Sequence, residues 1–158
     1  MKISDIIKND LVISTLKAKT KEEVIEELSS FLVSKHPNEE IDLEEVVSIL
    51  QERERLGSTG IGDGIAIPHG KLKNLDKDKL LTCFARSPEG VDYQSLDGKP
   101  SHLFFLLMAP DNSAGIHLKA LARISRLFQD PSLRDSLMHA ETGEEIYSIL
   151  TRNDDSEM

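Results

Sequence analysis

The 158-residue chain has no tryptophan, two tyrosines and five phenylalanines, so aromatic residues make up only 4% of it. Surfaces that stack single-stranded bases depend on aromatic side chains, and this composition disfavours one. Positive charge is also scarce: 19 Lys and Arg stand against 28 Asp and Glu, a net charge of −9. That field repels nucleic acid and anionic lipid and argues against either as a direct partner. With Cys83 as its single cysteine the chain can form no internal disulfide. Cys83 lies in the apolar run Leu80-Leu81-Thr82-Cys83-Phe84-Ala85, where a free thiol reads as core packing. The longest apolar run, Leu103 to Ala109, falls far short of the ~20 residues that span a bilayer. No N-terminal stretch has the pattern of a signal peptide. The expectation is a cytoplasmic protein with no membrane insertion.

What is present suits one globular domain. Hydrophobic residues make up 39% and charged residues 30%, and the length is enough for a sizeable core. The reading is a single domain over residues 1–152 followed by a short, acidic, frayed tail over 153–158. There is no internal repeat and no interdomain linker.

Asp10 to Leu16 reads as a first strand. Thr20 and Glu23 form a capping-box pattern for a helix with Val24, Ile25, Leu28, Phe31 and Leu32 on one face, ending at His36-Pro37. Asp42 and Glu45 open a second helix with Leu43, Val46, Val47 and Leu50 inward. Extending that stripe makes Arg53 the next inward position and leaves Arg55 off it. An inward arginine at a last helical turn needs an anionic partner, solvent, or the helix's own terminal carbonyls.

Leu80–Ala85 and Leu103–Ala109 read as strands. The second does not alternate, as expected of a central strand covered on both faces. Ser87-Pro88-Glu89-Gly90 and Asp97-Gly98-Lys99-Pro100 read as turns. A later helix puts His117, Leu121, Ile124 and Phe128 on one face. Asp130-Pro131 and the Thr142/Glu145 pair mark two further helix starts. Helices and strands in alternation, around a doubly covered strand, predict a three-layer α/β domain.

The run Gly64-Ile65-Ala66-Ile67-Pro68-His69-Gly70-Lys71 carries most of the functional information. A short apolar strand meets Pro68, which has no N–H and so is expected to end the pairing there. Gly70 is expected to let the chain swing away. His69 is then presented at a strand end beside the glycine-rich stretch Gly57-Ser58-Thr59-Gly60-Ile61-Gly62-Asp63-Gly64. Two readings stand: an approachable reactive histidine, or a loop histidine satisfying one hydrogen bond.

Other chemistries fit poorly. A Walker loop would need glycine five residues before Gly70, where Ile65 stands, and Leu72 replaces its hydroxyl residue. The dinucleotide pattern begun by Gly60 and Gly62 would also require glycine at Ile65. The five histidines, His36, His69, His102, His117 and His139, make no His-x-x-x-His pair, so no metal site is expected. There is no G-x-S-x-G elbow for a serine hydrolase. No cofactor is implied.

The stretch from Arg53 to Gly70, with Gly-Ser-Thr-Gly-Ile-Gly and then His69-Gly70-Lys71-Leu72, resembles the active-site signature of fructose/mannitol-type EIIA domains of the bacterial phosphoenolpyruvate-dependent phosphotransferase system. It is especially similar to the nitrogen-regulatory branch, and the likeness runs from Ile3 to about Ile149. The resemblance implies a mixed sheet with helices on both sides. It also implies transient phosphorylation of His69, with Arg53 as the active-site arginine and His117 as the second histidine beside it. An HPr-type carrier would donate, and a cysteine of an EIIB domain or a regulatory target protein would receive the phosphoryl group or its signal. The chemistry is undemanding: a neutral imidazole is already a nucleophile near pH 7, and what remains is positioning and positive charge around the phosphoryl oxygens. Arg53 offers a planar fork of donors. Backbone N–H groups or hydroxyls of Ser58 and Thr59 could add more. His117 near a helix N-terminus would be kept neutral by the dipole, though a core-facing histidine fits its periodicity equally. Cys83 inside a strand is a poor acceptor.

Overall fold

The computed structural model describes residues 1–154. Six strands and five helices follow a single 3-10 turn at Ile3–Asp5. They are β1 (Val12–Ile13), α1 (Lys21–Lys35), α2 (Leu43–Arg55), β2 (Gly60–Gly62), β3 (Ile65–Ala66) and β4 (His69–Leu72). β5 (Leu81–Val91), β6 (Ser101–Pro110), α3 (Ala114–Leu127), α4 (Pro131–His139) and α5 (Gly143–Thr151) complete the chain. The sheet runs β1-β5-β6-β3-β2, with β4 also paired to β6. β5 and β6 are antiparallel, whereas β1 lies parallel to β5, and β3 and β4 lie parallel to β6. The sheet is therefore mixed, and the apolar run Leu103–Ala109 is its central strand.

Alternation along the strands assigns the layers. Cys83 points its Sγ at the Leu28 carbonyl of α1, 3.9 Å away. Its neighbour Phe84 points the other way, its ring 6.2 Å from Phe105 and 6.2 Å from Phe128 at the end of α3. So α1 and α2 cover one face, and α3 with α4 the other. Thr20 and Thr142 cap α1 and α5 through Glu23 N at 3.2 Å and Glu145 N at 3.1 Å. Asp130 caps α4 through Ser132 N at 2.9 Å.

The structure differs from the sequence reading in several places. β1 is two residues long rather than seven. Asp42 makes no side-chain cap, and Leu43, expected inward, is exposed. Ser87-Pro88-Glu89-Gly90 does not end its strand. It is an irregularity inside β5, where the register with β6 slips between Arg86 and Val91 and Gly90 takes φ +85°. Asp154, which the sequence reading places in the tail, is buried, accepting from Ile3 N at 2.7 Å and Ser4 N at 3.1 Å. Residues 155–158 of that expected tail lie outside the described residues.

β2 and β3 form a hairpin whose two-residue turn is Asp63-Gly64, with φ of +56° and +79°. Positive φ at both positions is the requirement of the tight hairpin turn that follows the strands' twist.

Candidate functional site

Pro68 does not end the strand. β3 and β4 act as one strand with an irregularity at Ile67–Pro68. Pairing to β6 resumes with His69 opposite Leu107, and Leu107 N donates to the Pro68 carbonyl at 3.0 Å. The N–H that Pro68 lacks would lie on this same β6 side, so its carbonyl alone keeps the pairing there, while on the opposite edge no β2 residue remains to pair. That edge is where His69 stands, half-buried, held by a sheet on one side and open to another molecule on the other.

Gly70 also serves differently from the expectation. Its φ is ordinary, and a Cβ there would lie 2.5 Å from Ile49 Cγ2. Glycine is required because α2 packs directly on β4, not because the chain swings away. This close packing brings the last turn of α2, and with it Arg53, against His69.

The ring of His69 is fixed at both nitrogens. Nδ1 lies 2.8 Å from the Ile67 carbonyl oxygen, which can only accept. Nδ1 therefore carries the proton and donates it. Arg53 Nε, always protonated, donates to Nε2 at 3.3 Å, so Nε2 presents a lone pair. The Arg53 guanidinium is itself tethered, Nη1 donating to the Gly57 carbonyl at 2.8 Å. Burial lowers the His69 pKa from the ordinary value. The Ile67 bond opposes that shift, Arg53 adds to it, and Glu54 opposes it more weakly. The net direction keeps the ring neutral at neutral pH.

His117, in the first turns of α3, meets His69 edge-on with centroids 5.5 Å apart and ring planes at 74°. It is 7% exposed, and its Nε2 is buried without a hydrogen-bond partner. Burial, then His69 and Lys71, lower its pKa, so this ring too is held neutral. The periodicity that left its role open is resolved in one respect: His117 faces His69.

Ser58 and Thr59 are engaged elsewhere. Ser58 Oγ donates to the Tyr93 carbonyl at 3.1 Å and accepts from Gly60 N at 3.0 Å. Thr59 N donates to Glu54 Oε1 at 3.0 Å, and its hydroxyl bonds to Glu54 Oε2. Neither hydroxyl is free for an incoming phosphoryl group. His36, His102 and His139 do not join the site; His102 and His139 bond to the carbonyls of Ser87 and Asp135. Among the described residues no group of three or more His, Cys, Asp or Glu side chains could hold a metal ion. Cys83 is fully buried, and burial pushes its thiol far up. Among the described residues no helix is long and apolar enough to cross a membrane.

The sequence reading missed Glu54, Lys21 and Tyr93, which form a buried polar cluster next to Arg53. No apolar stripe marks such residues. The one available signal was a charged residue beside Arg53 on the turn leading into the glycine-rich stretch. It also missed several exposed apolar side chains. Leu56 (82% exposed) follows α2, Leu118 (67%) adjoins His117, and Ile61 and Leu96 sit on β2 and the segment bonded to it.

Comparison with known proteins bears on this arrangement. Residues 5–153 match the family model "Phosphoenolpyruvate-dependent sugar phosphotransferase system, EIIA 2". The nitrogen regulatory protein of Bradyrhizobium diazoefficiens is 38% identical over 150 residues, covering 95% of each chain. The PTS system fructose-specific EIIABC component of Bacillus subtilis is 36% identical over 154 residues, which are 98% of this chain and 24% of that longer one. The crystal structure of nitrogen regulatory protein IIA-Ntr from Neisseria meningitidis superposes with a TM-score of 0.85 at 34% identity, covering 94% of this chain and 99% of that one.

Proposed function

The chain belongs to the EIIA 2 family of the phosphoenolpyruvate-dependent sugar phosphotransferase system, and from that premise we propose that it is a cytoplasmic phosphohistidine carrier with His69 as acceptor. The observation that carries this reading is the fixed tautomer of His69. The Ile67 carbonyl holds the Nδ1 proton, and Nε2 points a lone pair toward Arg53. No base is needed to start the reaction. The Nε2 lone pair forms a bond to phosphorus while the donor's N–P bond breaks and its electron pair returns to the donor ring. The proton on Nδ1 stays in place, and the Ile67 carbonyl stabilises the positive charge that develops on the ring.

Arg53 has a second part. Its Nε–H must leave Nε2 as the lone pair is consumed, and the nearest new acceptors are the equatorial phosphoryl oxygens. A guanidinium fork is suited to that pivot. His117 supplies a neutral ring with an unused Nε2, able to meet a phosphoryl oxygen as a donor if its proton sits there. The donor would be an HPr-type phosphohistidine protein, seated on exposed apolar side chains beside the site such as Leu56 and Leu118. The acceptor would be an EIIB domain, as the fructose-specific EIIABC relative suggests.

A second output is favoured by the nitrogen regulatory proteins of Bradyrhizobium and Neisseria. In it, the phosphorylation state of His69 governs binding to a target protein. A dianionic group added at a partly exposed histidine changes which surfaces can dock there.

Incubated with phosphoenolpyruvate, enzyme I and an HPr-type carrier, the chain gains one acid-labile phosphoryl group and His69→Ala gains none. Label retained by His69→Ala, or mapped to serine or cysteine, removes the reading. Pull-downs with wild type and His69→Ala then separate the outputs. A partner set that differs between them supports the regulatory branch. Equal sets, with transfer to an EIIB cysteine, leave the sugar relay.

A further inference from the structure

Glu54 follows Arg53 in sequence and stands on the same last turn of α2, yet its side chain is only 6% exposed. Both oxygens are fully occupied. Oε1 accepts from Thr59 N at 3.0 Å and pairs with Lys21 Nζ at 2.9 Å. Oε2 accepts from the Thr59 hydroxyl and from Tyr93 OH at 3.2 Å. Lys21 opens α1, is itself buried, and lies 4.7 Å from the centre of the Tyr93 ring. One carboxylate thus ties together the start of α1, the end of α2, the glycine-rich stretch and the segment before β6.

Stability alone is a weak reason to bury such a pair. Desolvating a carboxylate and an ammonium offsets most of their attraction, and an apolar replacement is often neutral or better. What the arrangement supplies is a constraint on one turn. Between Glu54 and Thr59 the chain reverses through Gly57 at φ +144°. The Glu54–Thr59 bonds close that reversal at its base. The Gly57 carbonyl lies inside the closed loop and receives Arg53 Nη1.

We propose that Glu54 is a positioning residue for phosphotransfer at His69: by clasping Thr59 it fixes the Gly57 carbonyl, and that carbonyl aims the Arg53 guanidinium at Nε2. This rests on the carrier reading above. During transfer Arg53 Nε must shift from Nε2 to a phosphoryl oxygen as the N–P bond forms. With Nη1 held on Gly57 the fork pivots about a fixed point instead of drifting into solvent. Glu54 touches neither ring nor phosphoryl group, so its whole effect passes through Arg53.

The test follows single-turnover transfer from a phosphorylated HPr-type carrier to the full chain across donor concentrations. Glu54→Gln keeps the shape but weakens the clasp and the pair with Lys21. The maximal rate should fall roughly 10- to 100-fold, as misplacement of a reacting group by about an ångström does, while the half-saturating donor concentration holds within about twofold. The Arg53 Nε–H resonance, slow to exchange in the wild type, should join those of exposed arginines. In an Arg53→Lys background the same change should add under about threefold, because residues acting through one another are not additive.

A maximal rate reduced less than about fivefold, or a full further loss on top of Arg53→Lys, overturns the proposal. If Glu54→Gln does not melt cooperatively, Thr59→Val is judged by the same criteria; it breaks one arm of the clasp and spares the pair with Lys21. His69→Ala run alongside separates the two claims. Label on that variant sinks the carrier reading, whereas normal rates in Glu54→Gln with an unlabelled His69→Ala sink only the positioning role.

Discussion

In the proposed carrier, Arg53 and His69 divide one task between a charge and a lone pair. Arg53→Lys keeps the charge but loses the planar fork that spans Nε2 and Gly57. Phosphotransfer should slow by roughly 10- to 1000-fold, the range for removing one oriented donor to developing charge, with the thermal midpoint unchanged. An unaltered transfer rate in the folded variant would make the arginine structural. The pH dependence has a definite sign. Burial lowers the His69 pKa, so the neutral ring that the proposed transfer needs survives below the ordinary histidine value of about 6.5. The groups bearing on it are Arg53, Glu54 and His117, and Lys71 acts on His117. The transfer rate should stay level from neutral pH and turn down only below that value. An acid limb at or above it would contradict the assignment. Arg53 was legible in the sequence because it continues the Val46–Leu50 stripe, which a helix must turn inward. Glu54 was not. A polar residue between two arginines looks solvated until the fold shows that Lys21 and Tyr93 close over it.

At the scale of elements, the site depends on how closely α2 approaches β4. Gly70→Ala would place a methyl group 2.5 Å from Ile49 Cγ2, with Met108 Cε 3.3 Å away on the same side. The Met108 methyl, at the end of a flexible side chain on β6, can give way, but the β-branched Ile49 methyl sits close to the α2 backbone and retreats only if the helix moves, so the change should destabilise by about 1–3 kcal/mol and slow transfer through displaced Arg53. Urea denaturation reports the first effect and the carrier assay the second. A variant with wild-type midpoint and rate would mean that α2 is not held on this strand. Local pattern predicted the helices well, since caps and apolar stripes are local signals: Thr20, Asp130 and Thr142 all cap as read. It failed where a strand tolerates an interruption. Pro68 lacks one donor but keeps its carbonyl, and that is enough to stay paired with β6. Pro88 and Gly90 are absorbed by a slip of register within β5. Neither tolerance can be read without knowing which edge of the strand carries a neighbour.

Across the whole molecule, α3, the helix that carries His117, joins the first and last of the described residues. Arg123, on α3 beyond His117, is buried, and its Nε donates to the Met1 carbonyl at 3.0 Å. Its Nη2 lies 3.5 Å from Asp154 Oδ1, and that carboxylate also receives Ile3 N and Ser4 N. The contact spans nearly the full sequence, so no window of residues could have announced it, and composition alone suggested a frayed acidic end. Its removal has a calculable consequence. Asp154→Ala strands a buried guanidinium and two backbone N–H groups, and breaking one partner of such a pair destabilises by about 3–5 kcal/mol. For a domain of this size that corresponds to a drop of roughly 6–20 °C in thermal midpoint. Phosphotransfer measured well below the midpoint should be unaffected, because the clamp reaches neither α2 nor the Gly57 turn. Scanning calorimetry of Asp154→Ala, with the carrier assay on the same sample, checks both halves. A midpoint within about 2 °C of wild type would show that the ends are not tied, and a slowed transfer in a folded sample would show that α3 carries strain from the clamp to His117.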